Sequence, residues 1–185
     1  MKKKPNWNLE RPDWDTHFML QAEIAKLRSN CLTRQIGSVI VKNNRQISSG
    51  YNGTPPGIKN CTEGGCERCL GRLKGKVQSG VGLERCLCTH AEANAIMQCA
   101  LFGNSGNTRD ATIYSTFVPC LECSKMIISV GIKRVVALYE YPEDGQTILR
   151  QANIQLDILK KAGLLPWINV LKSSMINDNV KNNYI

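Results

Sequence analysis

Histidine, glutamate and cysteine residues at two places in the chain have the types and spacing of a metal-assisted hydrolytic site. The segment CTHAEANAI places His90 two residues before Glu92, at the start of an alanine-rich run typical of a helix. The segment FVPCLECSKMI places Cys120 three residues before Cys123. Residues three apart share one face of a helix, so both sulfurs can reach one ion. Either pair alone is a weak signal, because His-x-Glu arises by chance and a lone Cys-x-x-Cys is as often redox-active or structural.

Together the two segments supply what a catalytic zinc ion needs. A helix N-terminus lowers the pKa of thiols and favours the thiolates that zinc requires. With His90 as the third ligand, the fourth tetrahedral position stays open for water, as in catalytic zinc sites. Glu92 then lies beside that water, where a carboxylate can take up a proton and pass it to a leaving nitrogen. We therefore predict zinc on His90, Cys120 and Cys123, with Glu92 as the catalytic residue.

The elements that must position these residues alternate between helices and strands. Helical spacing predicts a first helix in DTHFMLQAEIAKLRSN, capped by Asp15 or Thr16, and two apolar runs around 42–45 predict a hairpin. An irregular insertion follows at about 53–88. Beyond it, helical and β-rich runs alternate as AEANAIMQCALFG, ATIYSTFV, LECSKMIISVG, IKRVVALYE, DGQTILRQANI and a weaker strand at 154–159. This alternation predicts an α/β fold with one sheet covered by helices on both faces.

Length and composition fit one domain. A chain of 185 residues with 42% hydrophobic residues can bury one sizeable core. We place this domain at 11–165 and expect 1–10 and 166–185 to be flexible or loosely attached termini. No run reaches the length of a membrane span, and the basic start lacks the apolar stretch of a signal peptide. We therefore expect a cytoplasmic protein with no membrane partner.

The charge balance favours an anionic small molecule as partner. Lysine and arginine number 24 against 15 aspartates and glutamates, which suits a nucleotide phosphate or a nucleic acid. Aromatic residues make up only 6% of the chain, whereas binders of single strands interleave bases with more aromatic side chains. A nucleic-acid partner is therefore disfavoured.

The nine cysteines predict metal binding beyond the first site. Cytosolic thiols stay reduced, and in a chain without an export signal clustered cysteines more often hold metal than form disulfides. Spacing alone groups Cys66, Cys69, Cys86 and Cys88 as ligands of a structural zinc that would anchor the insertion. Reduced structural thiols without metal are the alternative. Cys99 stands apart from the others, and we interpret it as a small buried hydrophobe.

The pair H-x-E and P-C-x-x-C is the signature of zinc-dependent nucleobase deaminases. The longer segments WDTHFMLQAEIAKLRSNCLTRQIGSVIVKNN, ISSGYNGTPPGIKNC, CLCTHAEANAI, STFVPCLECSKMIISVGIKRVV and ILRQANIQL resemble the deoxycytidylate (dCMP) deaminase family over about 11–156. The resemblance implies a cytidine-deaminase-like three-layer α/β/α sandwich with a central mixed five-stranded sheet. It also implies hydrolytic conversion of dCMP to dUMP and ammonia, which supplies dUMP for thymidylate synthesis.

The resemblance assigns further roles to individual residues. It implies that Asn52 contacts the sugar, that Asn94 lies close to the nucleotide or a subunit interface, and that Arg34 is a candidate for the 5′-phosphate. Relatives with a second zinc draw its ligands from positions matching Cys31 and Cys61, so this set competes with the set given by spacing, and both sites can coexist. Many relatives form hexamers that dCTP, with Mg²⁺, activates and dTTP inhibits, which makes a homo-oligomer and these effectors expectations for this chain.

Two alternatives to a dCMP deaminase stay open. The first is a deaminase of another substrate, such as a tRNA adenosine or an antibiotic nucleoside, against which the GYNG segment and the cysteine-rich insertion argue. The second is a zinc-bearing nucleic-acid-binding or DNA-uptake accessory protein. An intact Glu92 argues against that role, because a binding module has no use for the proton-transfer carboxylate.

Overall fold

A computed structural model describes residues 11–78, 81–103, 105–140 and 144–177. Its strands are β1 (Gly37–Lys42), β2 (Arg45–Tyr51), β3 (Thr112–Phe117), β4 (Arg134–Tyr139) and β5 (Gln155–Ile158). Its α-helices are α1 (Trp14–Ala25), α2 (Glu67–Leu73), α3 (Ala91–Leu101), α4 (Leu121–Ser129), α5 (Asp144–Gln151) and α6 (Lys161–Asn177). In the described part of the chain, no helix is both long enough and apolar enough to cross a lipid bilayer.

The five strands form one mixed sheet in the order β2-β1-β3-β4-β5. β1 pairs antiparallel with β2 and β3, whereas β4 runs parallel to both β3 and β5. The β1–β2 hairpin turns at Asn43 and Asn44, whose φ angles of 51° and 55° match the left-handed backbone that two-residue hairpin turns require. The predicted hairpin and mixed sheet are confirmed.

Helices cover both faces of the sheet because alternate strand residues point to opposite sides. One apolar cluster joins the sheet to α3, α4 and α5, and its buried members include Ile40, Ala95, Ile113, Ile127, Val135 and Leu149. The opposite cluster joins the sheet to α1 and α6, through Phe18, Met19, Val39, Tyr114, Val136 and Leu164 among others. The predicted three-layer α/β/α sandwich is confirmed.

The start of α1 and the insertion differ from the prediction. The N-cap is Asp13, whose carboxylate accepts a hydrogen bond from the Thr16 amide at 2.7 Å, rather than Asp15 or Thr16. Asp15 is instead bound by Arg134 of β4, so its carboxylate is not free to cap the helix. The insertion at 53–88 contains α2 and two short 3₁₀ helices, Cys61–Glu63 and Leu83–Arg85, and is therefore more ordered than its lack of periodicity predicts.

The chain beyond residue 165, predicted as a flexible or loosely attached terminus, is helical as far as Asn177. Helix α6 continues through Pro166 as far as Asn177, although proline forfeits one backbone hydrogen bond inside a helix. Burial of Leu164 and partial burial of Ile168 against the α1 side of the sheet provide the compensating packing. The predicted boundary at 165 thus falls within a helix. The prediction for 1–10, and for 178–185, lies outside the described residues.

Candidate active site and cysteine cluster

His90, Cys120 and Cys123 come together at one end of the sheet, as their types predicted. His90 Nδ1 lies 3.3 Å from Cys120 Sγ and 3.4 Å from Cys123 Sγ. Zinc bound at about 2.0–2.1 Å to nitrogen and about 2.3 Å to sulfur needs neighbouring ligand atoms about 3.6 Å apart in a tetrahedron. The three ligand atoms all lie within 4.8 Å of one another, so this donor set fits one zinc ion.

Two close backbone approaches hold this triad in place. His90 is the N-cap of α3, and a Cβ on Gly50 would lie 2.2 Å from the Ala91 carbonyl oxygen, so only glycine lets β2 approach the start of this helix. Cys120 is the N-cap of α4, and a Cβ on Gly145 would lie 2.1 Å from the Pro119 carbonyl oxygen. The two helix starts that carry the ligands are therefore fixed by packing against β2 and α5.

Contacts among the ligands set their charge. The hydrogen bond from the Cys123 thiol, assisted by His90, lowers the pKa of Cys120 to about 4. The same contact with Cys120 raises the pKa of Cys123. Hydrogen bonding to Cys120 raises the pKa of His90 to about 9. These contacts favour a thiolate at Cys120, and the thiolate is the form of cysteine that binds zinc.

Glu92 points into the same site from the first turn of α3. Its side chain is 3% exposed, and burial raises the pKa of its carboxyl group. Ser115 of β3 donates a hydrogen bond to Glu92 Oε1 at 3.2 Å, and Cys123 Sγ lies 3.7 Å from Glu92 Oε2. A carboxyl group whose pKa is raised takes up a proton more readily than an ordinary one, which suits a proton-transfer role beside a metal site. The sequence analysis did not identify Ser115.

The pocket in front of this triad, here called the His90 pocket, is basic. Its lining includes Arg34, Arg68 and Arg72, together with Asn52, Phe117, Val118, Cys86, Cys88, His90, Glu92 and Cys120. Arg68 is only 8% exposed, and its Nε donates to the Val81 carbonyl oxygen at 2.9 Å. Its Nη2 is buried with no hydrogen-bond partner among the described residues. The sequence analysis missed Arg68 and Arg72, which α2 of the insertion brings to the pocket.

The three predicted substrate contacts have different surroundings. Arg34 lies over the Phe117 ring at 4.8 Å and lines the His90 pocket. Asn52 lines it too, but its amide also accepts from the Ile36 amide and donates to the Arg34 carbonyl oxygen, each at 2.7 Å. Asn52 therefore shapes the loop that carries Arg34. Asn94 donates to the Tyr51 carbonyl oxygen and is not among the residues that line the pocket.

Six further cysteines form a cluster, here called the thiol cluster, beside the His90 pocket. They fall into two groups of four, each with its sulfurs within 4.8 Å of one another: Cys31, Cys61, Cys69 and Cys88, and Cys66, Cys69, Cys86 and Cys88. Both ligand sets considered from the sequence are therefore brought together. All nine cysteines are free of disulfides, and Cys99 is buried in the apolar core as predicted.

Comparison with known proteins identifies the family. The family model for the cytidine and deoxycytidylate deaminase zinc-binding region matches residues 12–139, which include the triad and Glu92. The chain belongs to this family. A deoxycytidylate deaminase from Schizosaccharomyces pombe is 44% identical over 153 residues, covering 82% of this chain and 45% of the relative. A deoxycytidylate deaminase from Mycobacterium phage D29 is 39% identical over 141 residues, covering 74% of this chain and all of the relative.

Solved structures agree with the family membership. The dCMP deaminase of cyanophage S-TIM5, in complex with dCMP and dUMP, aligns with a TM-score of 0.66 at 30% identity, covering 82% of this chain and all of that one.

A deoxycytidylate deaminase from Saccharomyces cerevisiae is 39% identical over 163 residues, covering 88% of this chain and 47% of the relative. The chain spans about half the length of the two fungal deaminases it matches.

Proposed function

We propose that this protein is a zinc-dependent hydrolase that converts dCMP and water to dUMP and ammonia, and so supplies dUMP for thymidylate synthesis. The observation that carries the proposal is the buried carboxylate of Glu92 beside the triad of His90, Cys120 and Cys123. Relatives named deoxycytidylate deaminase, and a similar structure that holds dCMP and dUMP, support this choice of substrate.

The residues of the triad and Glu92 divide the chemistry between them. His90, Cys120 and Cys123 would hold zinc, which when bound supplies the Lewis acid that makes water nucleophilic at neutral pH. Glu92 takes up one proton from the attacking water and delivers it to N3 of the cytosine. It then takes a second proton from the hydroxyl added at C4 and delivers it to the departing amino group, which leaves as ammonia. Ser115 holds one Glu92 oxygen, so that the other faces the zinc ligands. A free nucleotide is already unstacked, so its binding carries no base-flipping cost.

The basic lining of the His90 pocket supports a phosphorylated substrate. Arg68 offers a buried guanidinium nitrogen that has no partner in the described part of the chain, and a buried donor of this kind is costly unless a ligand satisfies it. A phosphate oxygen is the natural acceptor, because arginine binds phosphate through charged hydrogen bonds. We propose that Arg68, Arg72 and Arg34 face the 5′-phosphate, while Asn52 contacts the sugar. Asn94 keeps its proposed place near a subunit interface.

The wider context of the activity is also part of the proposal. We propose a cytoplasmic homo-oligomer, a hexamer by resemblance to the family, with dCTP and Mg²⁺ as activators and dTTP as inhibitor. A single catalytic domain at 11–165, continued by α6, is the proposed unit. Sedimentation of the purified protein with and without each nucleotide measures both the assembly and its response to effectors.

One set of assays tests the substrate. The full chain is incubated separately with dCMP, cytidine, deoxycytidine and dCTP, and ammonia release is followed with and without added dCTP and Mg²⁺. We expect turnover of dCMP to exceed that of the two nucleosides, because only the nucleotide carries the phosphate that the arginines bind. Equal turnover of deoxycytidine and dCMP contradicts the phosphate assignment, and no turnover of any of the four contradicts the proposed activity.

A further inference from the structure

The two groups of four in the thiol cluster are not separate sites, because they share two sulfurs. Cys69 and Cys88 belong to both groups, Cys31 and Cys61 only to the first, and Cys66 and Cys86 only to the second. The eight ligand positions of two tetrahedral sites are thus filled by six cysteines. Independent zinc sites do not overlap in this way, since each structural zinc normally has four ligands of its own.

We propose that the thiol cluster binds two zinc ions, with the sulfurs of Cys69 and Cys88 each bridging both ions. Cys31 and Cys61 complete the coordination of one ion, and Cys66 and Cys86 complete that of the other. The proposal concerns a structural site and does not depend on which nucleotide the His90 pocket accepts.

The sulfur–sulfur distances have the length that this arrangement needs. Four thiolates bound to zinc at about 2.3 Å form a tetrahedron with edges of about 3.8 Å. Cys69 Sγ lies 3.9 Å from Cys31 Sγ in the first group and 3.8 Å from Cys86 Sγ in the second. Cys69 therefore already spans one tetrahedral edge on each side, as a bridging ligand must.

Burial and charge favour two ions over one. A single ion on the first group would leave Cys66, whose side chain is fully buried, and Cys86 as two extra thiols packed against its ligands. Six thiolates with two Zn²⁺ carry a net charge of −2, the same as four thiolates with one Zn²⁺. Sharing two sulfurs thus uses all six cysteines without adding buried charge, which is costly when uncompensated. The thiol protons are released to solvent as the metal binds.

The thiol cluster lies where metal ions would link α2, the start of α3 and the end of α1. Cys66 and Cys69 carry the start of α2, which holds Arg68 and Arg72 at the His90 pocket, and Cys88 lies two residues before His90. Cys31 follows the end of α1 and its 3₁₀ extension. Two bridged ions therefore hold α2, with its arginines, beside the zinc triad. The insertion needs this anchor because it has too few apolar residues to build a core of its own.

Metal stoichiometry and ¹¹³Cd NMR of the purified chain test the bridge. We expect three zinc ions per chain, two in the thiol cluster and one at His90, and two per chain in Cys66→Ser, because Cys66 is exclusive to the second group. Cys99→Ser is the matched control, and we expect three ions, because Cys99 lies in the apolar core. After exchange of zinc for ¹¹³Cd, two all-sulfur signals should be split by scalar coupling through the shared thiolates.

The outcomes separate the shared arrangement from simpler ones. Coupled cadmium signals in the wild-type protein support the bridge even if Cys66→Ser does not fold. A total of two zinc ions per chain, unchanged in Cys66→Ser, overturns the proposal in favour of a single structural zinc. Two all-sulfur cadmium signals without mutual coupling also overturn it, because they show that no sulfur joins the ions.

Discussion

The Ser115 hydroxyl donates a hydrogen bond to Glu92 across the interface between β3 and α3, with 3.2 Å between Ser115 Oγ and Glu92 Oε1. Ser115 is itself fully buried and accepts a hydrogen bond from Ser38 Oγ at 3.0 Å, so its hydroxyl has a fixed direction. This hydrogen bond makes Ser115 a positioning residue for the Glu92 carboxylate, which we assign to proton transfer. Because β3 belongs to the rigid centre of the sheet, the orientation of Glu92 is set by the fold rather than by the substrate.

We expect Ser115→Ala to lower kcat by about tenfold with little change in KM for dCMP. The variant loses one charge-assisted hydrogen bond, worth about 1.5–3 kcal/mol, but leaves zinc ligands and pocket lining intact. Steady-state kinetics and zinc analysis of the same preparation provide the measurement. Ser48→Ala is the matched control, because Ser48 is also buried and donates to the Ala95 carbonyl oxygen without touching Glu92. Equal kcat in both variants would show that Ser115 acts only on stability.

We expect Glu92→Gln to keep its zinc and lose at least about 10² to 10⁴ in turnover, the range typical of general acid–base groups. Glutamine has the same shape and can still accept from Ser115, but its amide cannot carry a proton. Zinc content and dCMP turnover are measured on one preparation, and a spectrum in the far ultraviolet checks the fold. Near-normal turnover with full zinc content would remove Glu92 from the proton-transfer role.

The arginines of α2 supply a separate test of substrate recognition. We expect Arg68→Gln to raise KM for dCMP by about tenfold to a hundredfold, because a charged hydrogen bond contributes about 1.5–3 kcal/mol. Turnover of deoxycytidine should not change, since the nucleoside has no phosphate. Arg85→Gln is the control, because Arg85 belongs to the same insertion but is 84% exposed and does not line the His90 pocket. A parallel loss for nucleotide and nucleoside would indicate damage to the pocket rather than to phosphate binding.

The grouping of His90, Cys120 and Cys123 with Glu92 could be predicted from the sequence because its signals are local. His90 and Glu92 are two residues apart and Cys120 and Cys123 three apart, and each pair opens a helix, so spacing alone gives their relative positions. The hairpin and the central strands could also be predicted from the sequence, since their apolar runs are bounded by turn residues.

Contacts between distant parts of the chain could not be predicted in the same way. Ser115 and Glu92 are 23 residues apart in the sequence, and Cys31 and Cys69 are 38 apart. Neither contact therefore produces a short-range spacing pattern from which it could be predicted. A weak signal for Ser115 existed, because a polar residue at a buried position of a β-rich run needs a hydrogen-bond partner. Arg68 gave no such signal: between two cysteines in a charged segment it resembles a solvated side chain, and only the fold of α2 buries it.

The ion pair between Asp15 and Arg134 predicts an acid-dependent part of the stability. Arg134 binds both carboxylate oxygens of Asp15 at 2.7 Å and, with the Tyr114 hydroxyl, lowers the pKa of Asp15 from its ordinary value of 3.8. Because the folded pKa lies below the unfolded one, the stabilisation is fully present above about pH 4 and is lost as the pH falls through the folded pKa. The pair ties α1 to the centre of the sheet.

We therefore expect Asp15→Asn to lower the free energy of unfolding at pH 7 by about 1–2 kcal/mol, a value reduced from that of a buried charged pair because 28% of the Asp15 side chain stays exposed. The difference from wild type should shrink as the pH falls below about 4, where Asp15 becomes protonated in the unfolded chain, and should vanish below the lowered folded pKa, where it is protonated in the folded wild type too. Urea unfolding at several pH values measures it, and acid release of zinc affects both proteins alike. Glu122→Gln is the control, because the Glu122 side chain is 69% exposed in its pair with Lys125 and should contribute little at any pH. A deficit for Asp15→Asn that persists unchanged at low pH would assign the loss to altered packing of α1 rather than to the ion pair.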